Sequence, residues 1–287
     1  MLRKIIAIAA LCLLLTGCSN GETPAQIAAT TLPVYEFTVR LCAGTDLTVS
    51  RLVTESVSCL HDYTLNVGQV RAARGAEVVV LSGGGLEDFM SDILQDKPVI
   101  DSSVGISLLK CTEEHDHDHH HHETDNHFWL SPENAGMMAR NICEGLARQY
   151  PMYSAVFAEN LKTLTADILA VQTYANTQLG QLSCRELITF HDGFSYLADA
   201  FGLTVLKSME EEAGSEASAS ELKELITLVR THRLSAVFTE TNGSTAAAGV
   251  IAAETGTAVF ALDMAMSGDS WFSAMYHNID TLKEALE

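Results

Sequence analysis

The chain is 287 residues long, enough for about two domains with cores of their own, and 47% of it is hydrophobic. Its 37 acidic residues against 17 basic ones give a formal net charge of −20. That balance argues against nucleic-acid binding, which needs clustered Lys and Arg, and it suits contact with cations. Arg3 and Lys4 open an apolar run from Ile5 to Leu15 that ends in small residues, the pattern of a secretory signal over residues 1–17. The run is too short to cross about 30 Å of hydrocarbon.

Leu15-Thr16-Gly17-Cys18 resembles a bacterial lipobox. The resemblance implies that Cys18 receives lipid and opens the mature chain, since acyl chains hold a folded domain at a membrane without a span. A plain signal peptide with an incidental cysteine is the alternative. Residues 18–26 read as the lipidated cysteine and a polar tether. Of the later cysteines, Cys42, Cys59, Cys111, Cys143 and Cys184, an odd number, at least one stays unpaired within the chain. Cys143 falls in a helical pattern and is expected to be buried. Pairing of Cys59 with Cys42 or Cys111 is left open.

Alternation of strand and helix begins at once. Ile27 to Leu32 is a strand candidate, Pro33 suits a first helical turn, and Gly44 suits the end of that helix. Leu47–Val53 reads as a strand, Val67–Arg74 as a short helix stopped by Gly75, and Glu77–Leu81 as a strand before three glycines. Val99–Asp101 is a further short strand. Such spacing predicts a parallel sheet covered by helices. Ser131 and Pro132 then start a helix to Tyr150, and a second helical pattern runs from Met152 to about Leu179, about 40 Å long. Strands follow at Glu186–Phe190, Leu203–Leu206, Ala236–Thr239 and Ala258–Leu262. Helices lie between them, one opened by a capping box at Ser218 and Glu221, and a last helix runs from Ser270 to Leu286. The expected architecture is α/β with two lobes, each a mostly parallel sheet flanked by helices. The first lobe covers 27–150, a linking helix 151–181 and the second lobe 182–287.

One segment is of low complexity. From His115 to His122 only Asp116 and Asp118 are not histidine, and acids surround the run. Residues 113–123 are read as a solvated loop in which His115, His117, His119, His120, His121 and His122 bind metal weakly, and Asp125 is counted among the acids around it. Outside it stand His61, His127, His191, His232 and His277. His191 falls at the C-terminal end of a strand, where ligands gather in open parallel sheets, and Asp263 has the same setting after the last strand. His232 and His277 lack such contexts and read as structural. Three imidazoles from His61, His127 and His191 with the Asp263 carboxylate would make a four-coordinate site of the kind Zn²⁺ prefers. Their rings must then lie within about 6 Å of one another. Asp263 also reads as a loop cap, which leaves Glu240 or a water as the next choices for the fourth position. Asp62 and Asp192 are either carboxylates that orient the neighbouring imidazoles or solvated loop acids.

These residues carry a resemblance over nearly the whole mature chain. HFWLSP at His127 and FHDGFSYLADAFG at His191, with HDYTL at His61 and LD at Asp263, resemble the ligand motifs of zinc-type metal-binding solute-binding lipoproteins of ABC transporters. An acidic His-rich loop just before the second motif is typical of that family's zinc members. Asn126 departs from the Asp-Pro that often precedes this histidine, and Asn66-Val67-Gly68 departs from a Pro or Ser after the first motif. The resemblance implies a metal-type solute-binding fold with a rigid linking helix, a Zn²⁺ cargo, and a lipid anchor on the extracytoplasmic face. It further implies a permease partner with a separate ATPase. Manganese carriers of the family tend to have Glu where His191 stands, which favours zinc. A manganese carrier, or a surface adhesin or zinc store using the same site, is the alternative. A zinc hydrolase is less favoured, since no HExxH, GxSxG or P-loop pattern is present. A monomer is expected. Binding is expected to weaken in acid, where protons compete for the imidazoles.

Overall fold

A computed structural model of the protein describes residues 24–55, 57, 60, 63–110, 124–209 and 217–287. The signal and Cys18, His61 with Asp62, Cys59, Cys111 and the His-rich segment lie outside the described residues.

In the first lobe, β1 (Ile27–Ala29), α1 (Leu32–Leu41), β2 (Val49–Arg51), α2 (Val67–Gly75), β3 (Val78–Leu81), α3 (Ser91–Leu94) and β4 (Val99–Asp101) build a four-stranded sheet in the order β2-β1-β3-β4. Every neighbouring pair is parallel. The first strand is shorter than expected. Pro33 sits in the first turn of α1, so the chain is already helical at Leu32. Asn66, one of the departures from the family pattern, is the N-cap of α2 and forms a capping box with Gln69. Cys42 closes α1 as a buried free thiol, its pKa pushed up to about 12 by burial. Cys143 is buried and free, as its helical pattern implied, and Cys184 is also free.

A feature without a sequence signal follows. β5 (Leu109–Lys110) and β6 (Thr124–Asp125) pair antiparallel, with Lys110 opposite Thr124. The pairing brings the residues that flank 111–123 side by side. Residues 128–130 form a 3-10 turn, and α4 (Pro132–Gln149) starts at Ser131, whose hydroxyl accepts the Asn134 amide. A further 3-10 turn over Pro151–Tyr153 leads into α5 (Ser154–Gln178), so the long helix begins two residues later than expected. At 1.5 Å per residue its 25 residues span about 37 Å. It packs on α1 and α4 of the first lobe and on α9 (Trp271–Leu286) of the second.

The second lobe repeats the plan. Its elements are β7 (Glu186–Thr189), α6 (Ser195–Ala200), β8 (Thr204–Ser208), α7 (Ala219–His232), β9 (Ala236–Glu240), α8 (Ala246–Thr255), β10 (Ala258–Leu262) and α9. The sheet order is β10-β9-β7-β8, again all parallel. Counted within each lobe, both sheets run 2-1-3-4. The order reverses between first and third strands, and the crevice beyond their C-terminal ends is the natural ligand position.

The lobes are not loosely hinged. One apolar cluster runs through both and includes Phe37, Trp129, Leu187, Met264 and Trp271. Hydrogen bonds cross between them. Glu36 on α1 accepts from the Ser270 hydroxyl (3.0 Å) and the Trp271 amide (2.6 Å) at the start of α9. Arg51 donates to Gly268 O (2.9 Å), Trp129 Nε1 to Met264 O (2.8 Å) and Trp271 Nε1 to Trp129 O (2.9 Å). No helix among the described residues is long and apolar enough to cross a membrane.

Candidate metal centre

The C-terminal ends of the second lobe's strands present three of the expected side chains. His191 follows β7, where the Thr189 hydroxyl holds its carbonyl (3.1 Å). Glu240 ends β9, which pairs with β7, so the two flank the point where the strand order reverses. Glu240 Oε2 lies 3.8 Å from His191 Nδ1, and both side chains are largely buried. Asp263 follows β10. Asn278 fixes its backbone from both sides, accepting its amide and donating to its carbonyl (2.7 Å each). Its Oδ1 accepts the Ala265 amide (2.7 Å), the loop cap anticipated from sequence, and Ala265 takes a left-handed φ of 53°. A carboxylate has two oxygens, so this cap is compatible with binding an ion through Oδ2.

His127 comes from the first lobe. It follows β6 and precedes the buried residues Phe128, Trp129 and Leu130, whose packing pulls the segment into the interior. The His127 side chain is only 3% exposed. Its ring centroid is 5.2 Å from that of His191 and 5.3 Å from that of Trp129, edge to face in both cases. The His127–His191 separation lies inside the ~6 Å expected of rings that share an ion. His127 Nε2, His191 Nε2 and Glu240 Oε2 are all buried atoms. Gly193 explains the tight approach: a Cβ there would lie 2.5 Å from Met264 Cε and 2.8 Å from both His127 Nδ1 and His191 Cδ2.

Asp125 is not the solvated loop acid read from the sequence. It is 3% exposed, and its Oδ1 accepts both the His127 amide (2.8 Å) and His127 Nδ1 (2.9 Å). Sequence reasoning passed over it because it borders the charged segment. The available signal was its place two residues before a candidate ligand. Asp192 Oδ1 accepts the Ser208 hydroxyl (3.0 Å), which ties the His191 loop to β8. His232 pairs with Glu186 (2.9 Å) at the end of α7, and His277 is exposed on α9.

His61 lies outside the described residues, but the chain on either side of its segment is anchored. Leu60 is fully buried. The Tyr63 hydroxyl donates to Glu55 (2.6 Å), and Gln69 of α2 donates to Glu55 and to Leu52 O. The Tyr63 bond is the main cause holding the Glu55 carboxyl below its usual range. Beneath the same end of the first sheet Glu87 is buried. It accepts the Thr30 hydroxyl (2.5 Å) and the Ser82 and Gly83 amides (2.8 and 3.0 Å), yet burial raises its pKa to about 7.

Among the described residues, no three His, Cys, Asp or Glu side chains close on a common point. The described part holds two buried imidazoles from different lobes, each with a carboxylate beside it, Asp125 at His127 and Glu240 at His191. Such nitrogen and oxygen donors suit a borderline divalent cation.

Comparisons with known proteins identify the family. The family described as zinc-uptake complex component A periplasmic (ZnuA) matches residues 27–285. The zinc-binding lipoprotein AdcA of Streptococcus pneumoniae is 29% identical over 310 residues, covering 100% of this chain and 62% of that protein. The chain thus spans less than two thirds of that relative. The high-affinity zinc uptake system protein ZnuA of Bacillus subtilis is 27% identical, covering 98% of this chain and 97% of that one. A crystal structure of ZnuA superposes with a TM-score of 0.78 at 29% identity, covering 92% of this chain and 100% of that one. The chain belongs to the ZnuA family of zinc-uptake components.

Proposed function

We propose that the protein is an extracytoplasmic zinc carrier, anchored by lipid on Cys18, that captures one Zn²⁺ between its lobes and hands it to an ABC permease driven by a separate ATPase. The ligands in this reading are His61 and His127 from the first lobe and His191 and Asp263 from the second, with Glu240 the alternative to Asp263. The observation that carries it is the edge contact of two buried imidazoles from different lobes, 5.2 Å apart, in a chain of this family. A nitrogen-rich set favours zinc over manganese, which takes more oxygen. The role is carriage, not catalysis, and the protein acts as a monomer.

The interlobe bonds of Glu36, Arg51, Trp129 and Trp271 oppose wide hinge opening. Entry and release then rest on local shifts of the ligand-bearing loops and on docking to the permease. The His-rich residues 115–122 raise the local metal concentration and are separate from the tight site. Calorimetry with Zn²⁺ in competition with a chelator tests the reading. Wild type should show one tight event, and His191→Ala should lose it. Undiminished affinity in His191→Ala would remove that residue from the site.

A further inference from the structure

We infer that Asp125 is the positioning residue of the metal centre, fixing His127 in the tautomer and orientation that present Nε2 to the ion; this rests on the zinc-carrier reading above. A carboxylate oxygen can only accept, so the 2.9 Å contact from His127 Nδ1 is an N–H donation. The proton then sits on Nδ1, and the Nε2 lone pair, whose atom is buried, is the ring's donor position. The same oxygen accepts the His127 amide at 2.8 Å. Backbone and ring of one residue are therefore held by a single acceptor, which leaves the imidazole little freedom to rotate about its side-chain bonds. Trp129 and His191 close on the ring's edges and faces and complete the constraint.

Asp125 is itself held from both lobes. Its strand β6 pairs with β5, and its carbonyl accepts the Tyr196 hydroxyl (2.9 Å) from α6 of the second lobe. The same hydroxyl accepts the Leu109 amide (2.7 Å) from the partner strand. The acid is thus pinned where the lobes meet. Burial of a carboxylate is costly unless it is well bonded, and Oδ2 finds no hydrogen-bond partner among the described residues. Among the described residues both side-chain hydrogen bonds of Asp125 go to His127, so the burial serves that residue. Carboxylates behind a ligating imidazole strengthen its nitrogen as a donor, and their loss typically weakens metal binding about 10- to 100-fold.

The test compares wild type, Asp125→Ala, Asp125→Asn and His127→Ala in the full chain, using Zn²⁺ with a competing chelator, thermal unfolding, and ¹⁵N–¹H correlation of imidazole nitrogens in the metal-free protein. Wild type should show His127 with the proton on Nδ1. Asp125→Ala should keep one-to-one binding but weaken it about 10- to 100-fold, with His127 no longer in a single tautomer. Asp125→Asn, whose side-chain oxygen still accepts, should retain the Nδ1–H tautomer and lose less than about ten-fold. His127→Ala should lose tight binding. A proton on Nε2 of His127 in wild type would overturn the inference even if Asp125→Ala failed to fold. Binding by Asp125→Ala within about two-fold of wild type would overturn it while leaving the carrier reading intact. Absence of tight binding in wild type would instead refute the carrier reading itself.

Discussion

Replacing Gly193 by Ala adds one methyl group at the closest point of the proposed centre. Gly193 is not in the left-handed region, so alanine brings no backbone strain and the effect is one of space alone. The new Cβ would stand 2.5 Å from Met264 Cε and 2.8 Å from His127 Nδ1 and His191 Cδ2. Unbranched Met264 can swing aside. The His127 ring has less freedom, because its Nδ1 is tied to Asp125 and cannot retreat without breaking that bond. Overpacking of this kind costs about 1–3 kcal/mol. In metal-free protein the His191 ring, together with Met264, can move aside to relieve much of the contact, whereas a shared ion draws His191 back toward His127. The cost therefore falls mainly on the loaded state, and the zinc Kd should rise about 5- to 150-fold. Any part borne by the free protein lowers Tm by roughly 2–4 °C per kcal/mol. Chelator-competition calorimetry with thermal unfolding of the same samples separates the two. A Kd within two-fold of wild type would refute the claim that both rings converge on one ion at Gly193.

Other expectations follow from the same structure. Burial raises the Glu87 carboxyl to about 7, so between the ordinary glutamate value and that point the folded state holds more protons than the unfolded chain. Its contribution is complete at lower pH and is lost as pH rises from about 4.5 to about 7, on the order of 3 kcal/mol. Glu87→Gln should flatten that part of the stability–pH curve relative to wild type in urea unfolding; identical slopes would contradict the assignment. Deleting residues 113–123 should leave the tight zinc event and remove only weak extra binding, because β5 and β6 already bring the residues that flank 111–123 side by side. Loss of the tight event would mean that the segment supplies a ligand. Cys18→Ala should move the protein from the membrane fraction to the soluble fraction, and continued membrane association would remove lipidation as the anchor.

Much of the architecture was legible because its causes are local. Strands of the second lobe run without interruption between turn signals, and α7 opens at the capping box read from Ser218 and Glu221. The long helix was visible from Leu164, Ile168 and Val171 at helical spacing, all of them buried. What escaped notice depends on contacts between distant segments. The β5–β6 ladder has two residues per strand, too few to leave a pattern. The interlobe bonds of Trp129 and Trp271 join residues more than 130 positions apart. Asp125 was misjudged for a related reason. Charge in a row of acids predicts solvent, and only the buried FWL turn beside it, with Tyr196 from the other lobe, takes it inside. His191 and Asp263 were legible as strand-end residues. The choice between Asp263 and Glu240 was not, since both end strands of one sheet.

Diffraction from zinc-loaded crystals, collected on both sides of the zinc absorption edge, tests the central claim most directly. The account predicts a single strong anomalous peak between the lobes, about 2.0–2.2 Å from one imidazole nitrogen each of His61, His127 and His191, with a carboxylate oxygen completing the tetrahedron. A peak elsewhere, or one bound by histidines of a single lobe, would contradict it.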